Sequence, residues 1–271
     1  MTDVTDSHTH HKVLVFDSGV GGLSILTEIC RRLPCCDYVY ACDNEAFPYG
    51  TKTEDELVAR VDAVLKALIA HIEPDLIVIA CNTASTVALP KIRAHFPKPV
   101  VGVVPAIKPA AQFSRSRVIG LLATPATIRR PYTQGLIDEF ASDCTIIPVG
   151  SAELVTIAEN RLRGIAADIS ALEKILAPIF ADPRTDTLIL ACTHFPLLRA
   201  ELEQASPRGI QWVDSGEAIA RRVASFTGDP LDAEAGQPPG FPCWLTADNN
   251  DPSFAAGLKT MGATTINILK V

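Results

Sequence analysis

Short apolar runs alternate with longer amphipathic stretches along this chain. Residues 12–16 and 76–80 are dominated by Val, Ile, Leu and Phe, and small or turn-forming residues and then a helical pattern follow each run. Continuous apolar runs of this length are typical of strands buried on both faces of a parallel sheet. The alternation of such strands with helices predicts an α/β fold with doubly wound, mostly parallel sheets.

The strand–helix pattern occurs twice, and it restarts at Pro105. The first half predicts strands at 12–16, 37–41, 76–80 and 100–104, helices at 23–32 and 54–72, and a short helix ending near Pro90. The second half predicts strands at 118–122, 145–149, 188–191 and 211–213, and helices at 128–140, between 154 and 179, and at 197–204. A helix at 217–226 and a strand–helix–strand unit within 243–271 complete the pattern. The repetition indicates a duplicated α/β unit.

Two cysteines mark corresponding places in the two units. Cys81 and Cys192 each follow the third strand of their unit, and Asp17 and Thr124 follow the first strand. Because ligands bind at the carboxyl ends of strands in open α/β sheets, we expect both sets of strand ends to face one cleft that holds the active site. We therefore predict two similar domains related by pseudo-two-fold symmetry, residues 1–104 with 215–271 and residues 105–214.

Composition and charge disfavour several classes of protein. The 271 residues are 48% hydrophobic and 20% charged, as in globular proteins. A net charge of -7 argues against non-specific nucleic-acid binding, which needs a basic face. No apolar run reaches the roughly 18 residues of a membrane helix, and the N-terminus lacks the basic start and apolar core of a secretion signal. We expect a cytoplasmic protein that binds neither nucleic acid nor a membrane.

The eight cysteines form no recognisable metal or redox motif. No two are spaced as Cys-x-x-Cys, the spacing of zinc and thioredoxin-like sites. His8, His10 and His11 are potential ligands, but an N-terminal tail of this kind is more often disordered. We therefore expect no metal site. The segment 229–240 is rich in proline, glycine and acidic residues, which predicts a surface loop.

A pair of thiols on opposite sides of one cleft suits the inversion of a stereocentre. A thiolate is a base as well as a nucleophile, and a helix N-terminus lowers its pKa. Cys81 and Cys192 each stand where a helix is about to begin. One thiol can remove a proton from one face of a tetrahedral carbon while the other delivers a proton to the opposite face. A cysteine hydrolase would instead need one cysteine with a histidine and an oxyanion hole.

Polar residues near the two cysteines suit an amino-acid substrate. Neutral donors for carboxylates are Ser18, Asn82, Thr83 and Thr193. Asp17 and Glu153 carry charge that would hold an ammonium group or orient a thiol, and His194 would polarise the thiol of Cys192 or take its proton. Asp17 also suits a helix cap, and His194 also suits a purely structural hydrogen bond.

Six motifs in this order resemble those of the glutamate racemases, within the aspartate/glutamate racemase family. They are Val-Phe-Asp-Ser-Gly-Val-Gly-Gly22, Pro-Tyr-Gly50, Ala-Cys-Asn-Thr-Ala-Ser85, Gly-Ser-Ala-Glu-Leu-Val155, Ala-Cys-Thr-His-Phe-Pro196 and Val-Asp-Ser-Gly216. The resemblance extends over essentially the whole chain from Val13. It implies a cofactor-independent enzyme that supplies D-glutamate for peptidoglycan synthesis, with its active site between two α/β domains.

The resemblance also implies roles for individual residues. Cys81 and Cys192 would be the two proton donors and acceptors, with Asp17 assisting Cys81, and Glu153 with His194 assisting Cys192. Glutamate would contact Asp17, Ser18, Pro48, Tyr49, Gly50, Asn82, Thr83, Thr124, Thr193 and His194. No pyridoxal phosphate is expected, because the matching motifs contain no lysine to form its Schiff base.

The resemblance also bears on partners, and other interpretations remain beside it. Gly-Ser-Ala-Glu-Leu-Val155 and Ala-Ile-Ala-Arg-Arg222 are similar to the proteobacterial members, in which UDP-N-acetylmuramoyl-L-alanine can act as an activator. The family implies a monomer or a homodimer. Three other interpretations stay open: an aspartate racemase with the same chemistry, an amino-acid sensor without catalysis, and a redox protein with a reversible Cys81–Cys192 disulfide.

Overall fold

The computed structural model describes residues 11–228 and 239–271. His8 and His10 of the N-terminal histidine cluster, and all but the last two residues of the predicted loop at 229–240, lie outside the described residues. The described strands are β1 (Lys12–Asp17), β2 (Asp37–Cys42), β3 (Leu76–Ile79), β4 (Val100–Gly102), β5 (Val118–Ala123), β6 (Thr145–Gly150), β7 (Thr187–Leu190), β8 (Gln211–Val213), β9 (Phe241–Leu245) and β10 (Ala263–Ile268).

Helices connect these strands throughout. They are α1 (Gly22–Arg32), α2 (Glu54–Ile72), α3 (Asn82–His95), α4 (Ile107–Phe113), α5 (Pro125–Arg129), α6 (Pro131–Phe140), α7 (Glu153–Leu162), α8 (Ile169–Phe180), α9 (Arg199–Ala205), α10 (Gly216–Thr227) and α11 (Pro252–Thr260). Single 3₁₀ turns occur at Tyr49–Thr51 and Phe195–Leu198. Each strand predicted from the apolar pattern overlaps a strand of the structure.

The strands form two parallel sheets with related topology. One sheet has the order β10-β9-β2-β1-β3-β4, and the other has the order β6-β5-β7-β8. The four strands of the second sheet therefore repeat the order of β2-β1-β3-β4 in the first. All pairings are parallel. The predicted α/β class with two similar, parallel-sheet units is confirmed.

The sheets divide the chain in the way the duplication predicts. Strands from residues 12–102 and 241–268 belong to the larger sheet, and strands from 118–213 belong to the smaller one. Helix α10, which follows the smaller sheet in the chain, packs against α1. The exact domain boundaries at 104/105 and 214/215 stay a prediction.

Helix ends follow local sequence signals where these are strong. Thr53 and Glu56 form a reciprocal capping box at the start of α2, and Glu73 ends it in the left-handed conformation, just before Pro74. Such caps satisfy backbone groups that the helix leaves unpaired. The predicted bounds of α2 are therefore correct.

Prolines account for the differences from the predicted helices. The single helix predicted at 128–140 is two helices, because Pro131 begins a new helix and cannot donate a hydrogen bond to the preceding turn. Conversely, α3 continues through Pro90 to His95. Ala88 and Ile92 on this helix are fully buried, and their burial offsets the one backbone hydrogen bond that Pro90 removes.

Helices cover both faces of each sheet. Helices α1 and α10 lie on one face of the larger sheet, and α2 and α3 lie on the other. The smaller sheet is covered by α7, α8 and α9 on one face and by α4 and α6 on the other. The strand ends are then the natural place for a ligand. No helix in the described part of the chain has the length and hydropathy needed to cross a membrane.

Candidate active site

A cavity of about 460 Å³ lies where the carboxyl ends of both sheets meet. Its lining includes side chains from both units: Ser18, Phe47, Pro48, Tyr49, Gly50, Thr51, Cys81, Asn82, Thr83, Thr124, Pro125, Arg129, Ala152, Val155, Thr156, Cys192, Thr193 and His194. The volume is within the range of small-molecule sites. All predicted site residues except Asp17 and Glu153 line this cavity.

Strand register places the two cysteines at equivalent points. The N–H of Ala80 donates to the carbonyl of Phe16 at 2.7 Å, and the N–H of Ala191 donates to the carbonyl of Leu122 at 2.8 Å. Cys81 and Cys192 are the next residues after these two alanines. Both are nearly buried, with 6% of their surface exposed. The equivalence that the sequence predicted for the cysteines is present.

The same register corrects one detail of the predicted duplication. Asp17 follows Phe16 directly, whereas the residue that directly follows Leu122 is Ala123. Thr124 is therefore the counterpart of Ser18, and Asp17 has no polar counterpart at the end of β5. The sequence comparison had matched Thr124 to Asp17, which shifts the alignment by one residue. The two half-sites are thus alike in backbone but different in chemistry.

On the side of Cys81, a serine joins the thiol to a carboxylate. The Ser18 hydroxyl lies 3.8 Å from Sγ of Cys81 and 3.2 Å from Oδ1 of Asp17. Asp17 is fully buried behind Ser18, and its Oδ1 also accepts the N–H groups of Ser18 and Gly19. Asp17 therefore acts on the cavity through its neighbours rather than by lining it.

Burial governs the ionisation of both groups on this side. Desolvation raises the pKa of Cys81, and the negative charge of Asp17 raises it further, while the N–H of Ala84 in the first turn of α3 opposes the increase. Burial also raises the pKa of Asp17, although the charge of His194 and the hydroxyl of Thr193 act against this. The net effect favours the thiol form of Cys81.

On the side of Cys192, a histidine joins the thiol to a different carboxylate. Nδ1 of His194 lies 3.8 Å from Sγ of Cys192, and Nε2 lies 3.0 Å from Oε1 of Glu159. The same Glu159 oxygen accepts the N–H of Val20 at 2.9 Å. Val20 belongs to the glycine-rich turn after β1, so this carboxylate joins the two units.

The charges of this pair support each other. Burial by itself would lower the pKa of His194, but the hydrogen bonds and charges of Cys192 and Glu159 raise it well above its ordinary value of 6.5. Burial would raise the pKa of Glu159, but the hydrogen bond and charge of His194 lower it below 4.5. We therefore assign an imidazolium–carboxylate pair at neutral pH.

The acidic residue predicted beside His194 is wrong in position. Glu153 lies in the first turn of α7, is exposed, and does not line the cavity. Six residues along a helix correspond to a rotation of about 240° beyond one full turn, so Glu159 points in a different direction from Glu153. The sequence does contain a signal for Glu159. This residue lies four positions after the buried Val155, so it is a charged residue on the otherwise apolar face of α7.

The remaining predicted contacts lie at the cavity wall. The 3₁₀ turn before α2 places Pro48, Tyr49 and Gly50 at the wall, and Thr124 caps α5. Asn82 and Thr83 begin α3, directly after Cys81. Oδ1 of Asn82 is buried and has no hydrogen-bond partner in the described part of the chain. An unpaired buried acceptor is costly, so a ligand donor at this point would satisfy it.

Several lining residues were not predicted. They are Phe47, Thr51, Pro125, Arg129, Ala152, Val155 and Thr156. Arg129 is the one Asp, Glu, Lys or Arg side chain among the described residues that line the cavity. It lies five residues after Thr124 on α5, and nothing in its local sequence distinguishes it from a surface arginine.

The residues present favour acid–base chemistry by thiols. The lining residues that the structure describes include no lysine, the side chain on which pyridoxal phosphate is carried. The described residues also contain no group of three metal-binding side chains. Two thiols from opposite units, each backed by a carboxylate, instead define a site that can remove and return a proton on opposite faces of one carbon. The fold and site are those of an α/β racemase.

Comparison with known proteins identifies the family. The model described as Asp/Glu/hydantoin racemase matches residues 18–223. The chain is 56% identical over 213 residues to the glutamate racemase of Pectobacterium carotovorum, covering 78% of this chain and 75% of that protein. It is 55% identical over 221 residues to that of Salmonella typhimurium, covering 81% and 78%. The chain belongs to the Asp/Glu/hydantoin racemase family, as its motifs predicted.

A solved structure agrees with this assignment. The chain matches the crystal structure of Escherichia coli glutamate racemase in complex with L-glutamate and the activator UDP-MurNAc-ala with a TM-score of 0.90. The two sequences are 46% identical, and the match covers 97% of this chain and 99% of that one. The two-unit fold described above is therefore shared almost in full.

Proposed function

We propose that this chain interconverts L- and D-glutamate by proton transfer at Cα between two thiols, without a cofactor, and so supplies D-glutamate for peptidoglycan synthesis. The observation that carries the proposal is the placement of Cys81 and Cys192. The two residues follow equivalent strands of the two sheets and line one cavity. The relatives named glutamate racemases, at 55–56% identity, support glutamate as the substrate.

In this reaction one thiolate removes the α-proton from one face, and the opposite thiol delivers its own proton to the other face. The C–H bond that breaks and the C–H bond that forms involve the same carbon, so its configuration inverts. After one turnover the two sulfurs have exchanged protonation states. Proton exchange with water, or turnover in the reverse direction, restores the starting state.

The residues behind each thiol tune these transfers. His194, held as an imidazolium by Glu159, places a positive charge within hydrogen-bonding distance of the sulfur of Cys192. No such cation contacts Cys81 among the described residues, and the charge of Asp17 opposes the ionisation of Cys81. We infer that the substrate ammonium supplies the missing positive charge. Cys81 then becomes a base only when substrate is bound, which protects the free thiol from side reactions.

Recognition of glutamate uses polar groups of the cavity wall. Oδ1 of Asn82 can accept a hydrogen bond from the substrate ammonium, and the hydroxyl groups of Thr83 and Thr124 can donate hydrogen bonds to carboxylates. Arg129, an exposed residue at the cavity wall, adds a positive charge, which suits a substrate with two carboxylates. The dipoles of Asn82, Thr83 and Thr124 lie in buried surroundings, where they stabilise the carbanion more strongly than water would.

The E. coli protein whose structure is similar was solved with UDP-MurNAc-ala as an activator. We propose that UDP-N-acetylmuramoyl-L-alanine also activates this chain. This coupling would adjust D-glutamate supply to the demand for the precursor that consumes it. We further propose that the protein acts in the cytoplasm, as a monomer or a homodimer, and light scattering on a size-exclusion column distinguishes these two states.

The deciding experiment follows circular dichroism of L-glutamate, and separately of L-aspartate, in D₂O with purified protein and no added cofactor. We expect the glutamate signal to decay to zero while deuterium enters Cα. The assay is repeated with UDP-N-acetylmuramoyl-L-alanine, which should increase the rate. Decay with aspartate alone would transfer the same chemistry to an aspartate racemase. No decay under any condition would contradict the proposal and favour the sensor.

Variants of the thiols test the mechanism itself. Cys81→Ala and Cys192→Ala should each abolish racemisation in both directions, because each variant lacks the acid–base group on one face. Circular dichroism in the far ultraviolet checks that both variants remain folded. Appreciable two-way racemisation by either variant would rule out the two-thiol scheme. A rapidly reversible Cys81–Cys192 disulfide during turnover, detected by mass spectrometry, would favour the redox interpretation.

A further inference from the structure

Arg163, at the C-terminal end of α7, connects the acid–base machinery to the other unit of the fold. Its Nη1 donates to the carbonyl oxygen of Glu159 at 2.8 Å and lies 3.5 Å from Oε2 of the same residue. Its Nε donates to Oδ2 of Asp251 at 3.0 Å. The guanidinium thus lies between a carboxylate that contacts His194 and a carboxylate of the C-terminal segment.

Asp251, which Arg163 contacts on the C-terminal segment, is itself held in place by local hydrogen bonds. Asp251 caps α11, where its Oδ1 accepts the N–H of Ser253 at 2.9 Å. The guanidinium of Arg163 also lies over the ring of Phe254 on α11, 4.9 Å from its centroid. A planar guanidinium that makes both hydrogen bonds and a ring contact has few orientations available. Asp251 and Phe254 therefore fix the direction in which Arg163 points.

The two helices meet closely at this point. A Cβ atom added to Gly257 of α11 would overlap the carbonyl group of Leu162, the residue that precedes Arg163. Leu162 also packs against the hydrophobic core of the larger sheet. The end of α7, which belongs to the smaller sheet, is thus seated on α11, which belongs to the larger one. Arg163 lies within this contact.

The result is a row of alternating charges across the contact between the units. Asp251, Arg163, Glu159 and His194 follow one another, and Cys192 stands at the end of the row. Other titratable groups interact electrostatically with this row. Asp17 interacts with His194, and Tyr40 and Cys42 interact with Glu159. These three come from the β1 and β2 side of the site.

We propose that Arg163 is a positioning residue. Asp251 holds Arg163 in place, and Arg163 orients the Glu159 carboxylate toward His194. The packing of α7 on α11 is thereby coupled to proton transfer at Cys192. The inference deepens the proposed racemase function and rests on it for its kinetic consequences. Without Arg163, Glu159 would keep its bonds to Val20 and His194 but lose the group that restrains its second oxygen. The imidazolium would then be held less firmly beside the thiol.

The chain offers a matched control. Arg161 lies two residues earlier on the same helix and pairs with Glu201 at 2.6 Å, on a more exposed part of the surface. Arg161→Gln and Arg163→Gln change the net charge equally, but Arg161 does not contact Glu159 or α11 in any hydrogen bond or ion pair of the described structure. A difference between the two variants therefore reports the location of the charge rather than its loss.

Kinetics form the first readout. We expect Arg163→Gln to lower kcat for glutamate racemisation by about tenfold, the loss that one charged hydrogen bond typically causes, while KM changes much less. Arg163→Lys should recover part of the loss, and Asp251→Asn should cause a smaller decrease. Arg161→Gln should match the wild type. Wild-type kcat in Arg163→Gln, or an equal decrease in Arg161→Gln, would overturn the proposal.

The second readout does not depend on activity. The pKa of His194 is followed by NMR of ¹⁵N-labelled histidine, with His194→Asn used to assign the signal. Removal of a nearby positive charge would by itself raise this pKa, whereas loss of a well-positioned Glu159 lowers it. We expect the pKa to fall in Arg163→Gln and to stay unchanged in Arg161→Gln. A rise or no change in Arg163→Gln would overturn the positioning role even in a folded variant.

The two readouts separate the proposals from each other. If the wild-type protein does not racemise glutamate or aspartate, the proposed function fails, yet the pKa of His194 still tests whether Arg163 positions Glu159. If the wild type is active and the pKa of His194 does not fall in Arg163→Gln, the positioning role fails and the racemase function stands. Thermal unfolding of each variant identifies any loss of activity that comes from loss of folding alone.

Discussion

The hydroxyl group of Thr193 donates a hydrogen bond of 2.9 Å to Oδ2 of Asp17. Thr193 follows Cys192 directly, and Asp17 is connected through Ser18 to Cys81. The bond therefore joins the two half-sites directly, beneath the cavity that separates them. The two units are thus bridged on this side of the cleft by a direct hydrogen bond.

This bond predicts a specific effect of Thr193→Val, which keeps the shape of the side chain but removes the donor. Asp17 would keep a buried carboxylate oxygen without a partner, at a cost of about 1–3 kcal/mol. We expect kcat to fall by about tenfold or more, with Thr193→Ser close to the wild type. Circular dichroism of glutamate measures the rates. Full activity in Thr193→Val would show that this contact between the units does not matter to turnover.

The fold was largely predictable because its strands carry a strong local signal. Each buried strand is a short apolar run, and parallel strands covered on both faces tolerate little else. Helix α4 was missed because Pro109 lies inside a segment of only seven residues. The split between α5 and α6 depends on Pro131, whose effect on a helix can be either a kink or a break. Local sequence does not decide between these two effects.

The site was predictable where its residues follow strands directly. Cys81, Asn82 and Cys192 line the cavity as expected, because the carboxyl end of a parallel strand has a known position in the fold. Glu159 and Arg163 were missed because they lie on a helix, where the direction of a side chain matters and is set by packing between the units. Sequence pattern alone could assign the apolar stripe of α7, but it could not show that His194 lies opposite that stripe.

The corrected acidic residue gives a direct comparison of two variants on one helix. Glu159→Gln removes the charge that supports the His194 imidazolium, so we expect kcat to fall by at least about tenfold, since positioned acid–base groups contribute about 10²–10⁴-fold. Glu153→Gln, on the exposed first turn of α7, should leave kcat unchanged. Both rates are measured in each direction by circular dichroism. A larger loss in Glu153→Gln would restore the role predicted for it from sequence.

The glycine-rich turn after β1 predicts an effect of added volume. Gly21 has ordinary helical backbone angles, so alanine is conformationally allowed there. A Cβ atom at Gly21 would nevertheless overlap Nδ1 of His194 and lie 2.7 Å from Oγ1 of Thr193. We expect Gly21→Ala to displace both side chains and to lower kcat by about tenfold or more, because small errors in the position of catalytic groups are costly.

Gly135→Ala provides the control for this variant. A Cβ atom at Gly135, within α6, meets no other atom within 4 Å. Alanine in a helix is more favourable than glycine by about 0.5–1 kcal/mol, so this variant should be fully active and slightly more stable. Thermal unfolding and racemisation rates test both variants together. A Gly21→Ala enzyme with normal kcat would show that the turn can move away from His194.

The Glu159–His194 pair predicts a window of pH in which it stabilises the protein. The pKa of Glu159 is lowered in the folded state, so its contribution is present above its ordinary pKa of 4.5 and is lost as the pH falls through the folded value. The pKa of His194 is raised, so its contribution is complete below its ordinary pKa of 6.5 and is lost as the pH rises through the folded value.

The difference in free energy of unfolding between the wild type and Glu159→Gln should therefore be largest between pH 4.5 and 6.5 and should decrease at lower and at higher pH. Urea unfolding over this range measures this difference. Glu153→Gln is the control, for which the difference should not change with pH. Repeating the series with Cys192→Ala removes the contact between Cys192 and His194. A difference that does not change with pH would mean that the two groups are not charged together in the folded protein.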